Sequence, residues 1–192
     1  MVLENKDVDV STRDIVAACQ RGDRDAFRSL FETYQDKVYS IALRYSGERA
    51  VALDIAQEVF LKLLSGIRDF HGSAGFETWL YRVVVNCCRD HRRRSRRIGL
   101  FLEKLLHGFT VPRQTVLHDL MRVEIEEQVQ RGVAALCPEQ RIAVALRYTE
   151  GLSYDQIAEI LNCSPGTIAS RLNRAHKILQ RRLSHLGETN RL

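Results

Sequence analysis

Apolar residues recur at three- and four-residue steps along most of this chain, the spacing of one buried helix face. Ser11-x-x-Asp14 predicts a first helix start, followed by Ile15, Val16 and Cys19 before Gly22 breaks the run. A second helix is predicted over 23–46 from Phe27, Leu30, Phe31, Tyr34, Val38, Ile41, Ala42 and Tyr45, with Gly47 ending it. A third runs from about Ala50 to Ile67, where Ala52, Leu53, Ile55, Ala56, Val59, Phe60 and Leu63 fill a wide apolar arc. The glycines of Asp69–Gly75 make a loop. A fourth helix begins near Phe76, buries Leu80, Val83, Val84, Cys87 and His91, and continues into a run of arginines.

The pattern then weakens. Leu100, Phe101, Leu102, Leu105 and Leu106 form one short apolar stretch before Gly108 and Pro112, so 98–118 reads as a connector, with room for a short helix of its own. Helical spacing resumes over Asp119–Leu136, and Pro138 restarts the chain for a helix over Glu139–Tyr148 that stops near Gly151. Ser153 caps a short helix with a stripe of Tyr154, Ile157, Ala158 and Leu161, and Asn162 and Cys163 make a turn. Ser164 caps the last helix, Pro165 takes its first position, and Ile168, Leu172, Ala175 and Leu179 form its buried side. No segment alternates with a period of two. The expected fold is all-α, with helical units over 1–97 and 119–192 joined by the connector.

Charge adds what the pattern lacks. Arg89 to Arg97 holds six arginines and one aspartate, net +5. Ser164 to Leu192 holds five arginines, Lys177 and one glutamate, again +5. The whole 192-residue chain is only +5, so the other 154 residues are net −5. Two basic patches on an acidic body point to a polyanion touched in two places. Five cysteines, odd in number and without a C-x-x-C pair, argue against a disulfide framework. The first ten residues, MVLENKDVDV, are acidic and lack the apolar core of a secretion signal, and no apolar run reaches the ~20 residues of a membrane span. A cytoplasmic protein that inserts in no membrane is expected. With the histidines dispersed, there is no metal-ligand cluster, P-loop or nucleophile constellation, so neither a cofactor nor catalysis of its own is expected.

The last two helices form a helix-turn-helix, with Ser170, Asn173, Arg174, Lys177 and Arg181 opposite the buried side. Such a helix enters the DNA major groove with its N-terminal residues toward bases and its later cations toward phosphates. The fourth helix carries a second stripe, Trp79, Arg82, Asn86, Arg89 and Arg93, suited to a strand with exposed bases. Trp79 itself reads better as a residue closing the core. The preceding loop, with Phe70, His71, Ser73 and Phe76, has the makings of a pocket for one unstacked base. On the third helix Leu61 stands alone among Asp54, Gln57, Glu58, Lys62 and Ser65, an apolar spot with a polar rim.

Taken together, these motifs resemble the extracytoplasmic-function class of bacterial sigma factors over nearly the whole chain. DIAQEVFLKL at 54–63 is similar to the family's polymerase-binding helix. FHGSAGFETWLYRVVVNCCRDHRRR at 70–94 resembles the element that reads and melts the −10 region, and CPEQRIAVALRYTEGLSYDQIAEILNCSPGTIASRLNRAHKIL at 137–179 the −35-reading domain. The resemblance implies that Asp54, Gln57, Glu58 and Leu61 meet the clamp helices of core RNA polymerase, with a further contact to its flap. It implies base capture by Phe70, His71, Gly72, Ser73 and Phe76, and promoter opening by Asn86 and Asp90, flanked by Arg82, Arg89 and Arg93. For the −35 duplex it implies Ser164, Thr167, Ala169, Ser170, Asn173, Arg174 and Lys177. His71 stands where arginine is frequent in the family, and Ala169 where many members carry a basic residue. The resemblance also implies promoter DNA and an anti-sigma protein as partners. The competing classes are a stand-alone helix-turn-helix regulator binding operator DNA and a small helical nuclease, which needs paired carboxylates and a metal.

Overall fold

The computed structural model describes residues 5–72, 75–105, 129 and 132–183, and among these every regular element is helical. Helix α1 spans Asn5–Gln20, α2 Arg24–Ser46 and α3 Arg49–Gly66, followed by a single 3₁₀ turn, Ile67–Asp69. Helix α4 covers Phe76–Leu105, α5 Pro138–Tyr148, α6 Tyr154–Leu161 and α7 Pro165–Leu183.

Local chemistry sets most of these bounds. Asp23 Oδ1 accepts from the Asp25 and Ala26 N–H groups at the start of α2. Gly47 ends that helix in the left-handed region, φ 78°, with its N–H on the Leu43 carbonyl. At α6 the Ser153 hydroxyl and the Gln156 amide cap each other's backbone N–H groups. Asn162 then closes α6 at φ 52°. Ser164 Oγ accepts from the Thr167 N–H to start α7. The expected start at Ser11 is corrected: α1 runs through it from Asn5. Ser11 therefore lies within the helix, where there is no terminus for its hydroxyl to cap. Helix α4 continues unbroken to Leu105, into the first part of the expected connector, and residues 106–118, with any short helix of the connector's own, lie outside the described residues. Most of the helix expected over Asp119–Leu136 lies outside the described residues.

Helix α4 is where the packing departs furthest from the sequence reading. One stripe, Leu80, Val84 and Cys87, is buried as expected, while Val83 and His91 are only half-buried. A second stripe, Tyr81, Val85 and Cys88, is equally buried about 100° further round. A helix buried on two sides has neighbours on both. Helix α4 packs against α2, α3 and α6 while α5 lies on α2, and the Tyr81 hydroxyl donates to Glu150 Oε2 at 2.8 Å. Arg141 at the start of α5 ties the units further, donating to the Tyr45 carbonyl at the end of α2 and to the Leu136 and Ala134 carbonyls. The N- and C-terminal helices therefore share one continuous core.

Candidate nucleic-acid interface

The polar, cationic face of α7 is open to solvent. Ile168, Leu172 and Ala175 are buried against α5 and α6, which turns Ser170, Asn173, Arg174 and Lys177 outward. Leu179 is half-buried. The Ser164 and Thr167 hydroxyls lie 2.9 Å apart, and Ser170 Oγ donates to the Thr167 carbonyl. These short side chains fix the first turn of α7. Ala169 is half-buried beside them.

The stripe on α4 is arranged differently. Asn86 is exposed, but Arg82 and Arg89 are held by carboxylates of the C-terminal unit. Arg82 Nη2 contacts Glu159 Oε1 at 3.1 Å and the Glu159 carbonyl at 3.2 Å. Arg89 meets Glu139 with both Nη2 and Nε, at 2.8 and 3.3 Å, and Arg171 of α7 reaches the same carboxylate at 3.6 Å. Asp90 pairs with Arg93 and lies 3.5 Å from Lys62 of α3. Burial alone raises the Asp90 carboxyl, but the hydrogen bond from Arg93 and the charges of Lys62 and Arg93 more than offset it, and its pKa falls below the ordinary value. Arg89, Asp90, Arg92, Arg93 and Arg96 border a cleft of about 650 Å³ that Glu139 and Tyr45 close from the other side.

In the loop ahead of α4, Phe70 turns inward. Its ring lies 5.1 Å from that of Trp79 and 5.8 Å from that of Phe76. Phe76 is itself buried, also facing Tyr34, and Trp79 is half-buried, as a core-closing residue should be. His71 and Gly72 are exposed, Gly72 with φ 70°, which gives the chain a turn that a side chain would strain. Ser73 lies outside the described residues.

The third surface is larger than sequence reasoning found. Leu61 is 60% exposed, and Leu53, assigned above to the core arc, is equally exposed. With Leu64 and Phe31, also exposed, they border an apolar groove of about 520 Å³ between α2 and α3, whose polar edge includes Asp36 and Gln57. Asp54 and Gln57 share the outward stripe of Leu61. Glu58 does not: it accepts from both Arg94 nitrogens at 3.0 and 3.2 Å and from Lys62 at 3.0 Å, tying α3 to α4. Burial opposes its charge, but these hydrogen bonds more than offset that and hold its carboxyl below the ordinary range. The signal for Leu53 and Leu64 was legible as Leu61 at i+8 and i−3, once a two-helix groove rather than a lone spot is considered.

Comparison with known proteins agrees with this geometry. The sigma-70 region 2 model matches residues 30–98, and the sigma-70 region 4 model residues 126–188. The chain is 34% identical over 186 residues to the RNA polymerase sigma-H factor of Pseudomonas aeruginosa, covering 91% of this chain and 94% of that one. It is 32% identical over 181 residues to the ECF RNA polymerase sigma-E factor of Haemophilus influenzae, covering 90% and 95%. Among solved structures, CnrH in complex with the cytosolic domain of CnrY superposes with a TM-score of 0.66 at 22% identity, covering 91% of this chain and 97% of CnrH. The sigma factor RpoE in complex with the anti-sigma factor NepR from Bartonella quintana gives 0.65 at 22% identity, covering 82% and 96%. These two carry the fold alone. With two matched regions in order and relatives aligned over nearly their full length, the chain belongs to the extracytoplasmic-function sigma factors of bacterial RNA polymerase.

Proposed function

We propose that this protein docks on core RNA polymerase through the α2–α3 groove and directs promoter-specific initiation, with α7 on the −35 duplex and the 70–76 loop and α4 on the −10 strand. One observation carries the reading: an apolar groove and two separate cationic helices occur on one chain of this family. A stand-alone operator-binding regulator has no use for the groove. Asn173, Arg174 and Lys177 supply base-edge and phosphate donors, while Asn86, Arg89 and Arg93 supply donors for a single strand. Flipping a base out of the stack costs a few kcal/mol, which capture and backbone contacts must offset. Bond formation belongs to the polymerase. No helix among the described residues is long and apolar enough to cross a membrane, and the protein works where its polymerase does, in the cytoplasm.

The same surfaces suit an anti-sigma protein, the partner RpoE has in its complex with NepR. Arg82 and Arg89 must leave Glu159 and Glu139 before they reach DNA, so the two helical units separate when the holoenzyme forms. Mixing the purified protein with core polymerase and a promoter library, then sequencing the transcripts, tests the reading. Initiation from a defined −35/−10 pair is expected; transcripts that do not depend on the added protein would overturn it.

A further inference from the structure

We propose that Gln20 is a positioning residue for −10 base capture: its side-chain amide fixes the direction in which the chain enters the capture loop. The proposal rests on the base-capture reading above. Gln20 is the last residue of α1, at i+4 from the buried Val16 and next to the buried Cys19, so it lies on the inward stripe of that helix. A polar amide on an inward stripe needs partners. Gln20 finds them 47 and 50 residues away, where Nε2 donates to the Ile67 carbonyl at 3.0 Å and to the Phe70 carbonyl at 2.7 Å. One NH₂ group has two hydrogens, and both are spent here.

Those two carbonyls bracket the 3₁₀ turn from which the loop departs. Phe70 N–H closes that turn on the Ile67 carbonyl at 3.2 Å, and Phe70 then turns to extended backbone, φ −76° and ψ 110°. The Phe70 ring is held by Trp79 and Phe76, and its carbonyl by Gln20, so side chain and backbone are fixed independently. His71, the next residue, is exposed. Where it and Gly72 stand relative to the first turn of α4 follows from the plane of the Phe70 peptide. A loop ordered before the base arrives loses less entropy on capture, and an error of about 1 Å in a capture site is costly.

The test uses holoenzyme built from core polymerase and the full chain, and reads the ratio of transcription from a promoter with its selected −10 element to one with a single −10 substitution. Gln20→Met keeps the side-chain length and removes the donor, whereas Gln20→Lys keeps a donor. The Met variant should lose about tenfold of that ratio with unchanged affinity for core polymerase, together with a modest fall in melting temperature from the two lost hydrogen bonds, and the Lys variant should recover most of the ratio. A Met variant that keeps the wild-type ratio overturns the proposal. So does a loss that comes with equally weaker polymerase binding, which makes Gln20 a general support of the fold, and so does a Lys variant as poor as Met. A wild-type holoenzyme indifferent to the −10 sequence overturns the base-capture reading itself, an outcome visible before any variant is compared.

Discussion

Arg89 on α4 and Glu139 in the first turn of α5 meet side by side, with two nitrogen–oxygen contacts of 2.8 and 3.3 Å across 50 residues of sequence. A forked guanidinium–carboxylate pair has the geometry of an arginine on a phosphate. Under the function proposed for α4, Glu139, and Glu159 opposite Arg82, therefore stand where phosphate oxygens would bind.

Each of these pairs is more than a third exposed, so each contributes only ~0.2–1 kcal/mol. The contact is weak enough to exchange for phosphates. Replacing both acids, Glu139→Lys with Glu159→Lys, should favour separated domains by about two- to thirtyfold, the range two such pairs allow. A larger radius of gyration in small-angle scattering and tighter binding of the isolated protein to single-stranded −10 DNA are the expected results. An unchanged radius would show that the shared apolar core, rather than these ion pairs, holds the closed arrangement.

Leu61 tests the proposed docking of polymerase in the α2–α3 groove. It is 60% exposed, so Leu61→Ser should leave stability within ~0.5 kcal/mol of wild type. Affinity for core polymerase should fall about tenfold or more, the effect of losing an apolar anchor inside a polar rim. Thermal melting and fluorescence-detected binding measure the two quantities separately. Glu58→Gln should behave in the opposite sense, because Glu58 faces Arg94 and Lys62 rather than the groove.

Arg174 and Lys177 both point outward from α7 but should fail differently. Arg174→Ala should cost ~1–3 kcal/mol on the selected −35 duplex and relax preference at one base pair. Lys177→Ala should weaken binding to all sequences alike and reduce the salt dependence by about one counterion. Holoenzyme titrations against matched and substituted duplexes at two salt concentrations separate these outcomes.

Much of this was legible along the chain. Ser153, Ser164 and Pro165 marked the helix-turn-helix, because capping acts over three or four residues. The outward residues of α7 followed from its buried stripe. What stayed hidden depends on contacts remote in sequence. Tyr81, Val85 and Cys88 look like the ragged edge of one apolar face until α4 is seen packed by α2, α3 and α6. Leu53 was placed in the core because an arc on one helix does not say how far its neighbour reaches. Gln20 carried no motif, and only the carbonyls of Ile67 and Phe70 explain an amide in its position.

The thiols give a chemical test of that second buried side. Cys19, Cys87 and Cys88 are buried, and burial is the main cause raising the pKa of each, Cys88 up to about 12. At pH 8 none of them holds an appreciable thiolate fraction. Cys137 is exposed. Alkylation of the native protein, followed by mass spectrometry, should therefore label Cys137 first and reach the adjacent Cys87 and Cys88 only on unfolding. Rapid labelling of Cys88 in the native protein would contradict the burial of that second stripe.

Acid should loosen the junction of α3 and α4 before neutral conditions trouble it. The folded pKa values of Glu58 and Asp90 lie below their ordinary values of 4.5 and 3.8. A depressed carboxyl contributes its stability above the unfolded pKa and loses it as pH falls through the folded one. The wild type should thus hold a constant contribution from this cluster from neutrality down to about pH 5, then lose it on further acidification. Glu58→Gln removes the first of these carboxylates and leaves Arg94 without its charged partner. It should lower the denaturant midpoint near neutrality and flatten its decline between pH 5 and pH 3. Urea unfolding of both proteins across that range measures it, and parallel curves would mean that Glu58 is not charged and paired in the folded state.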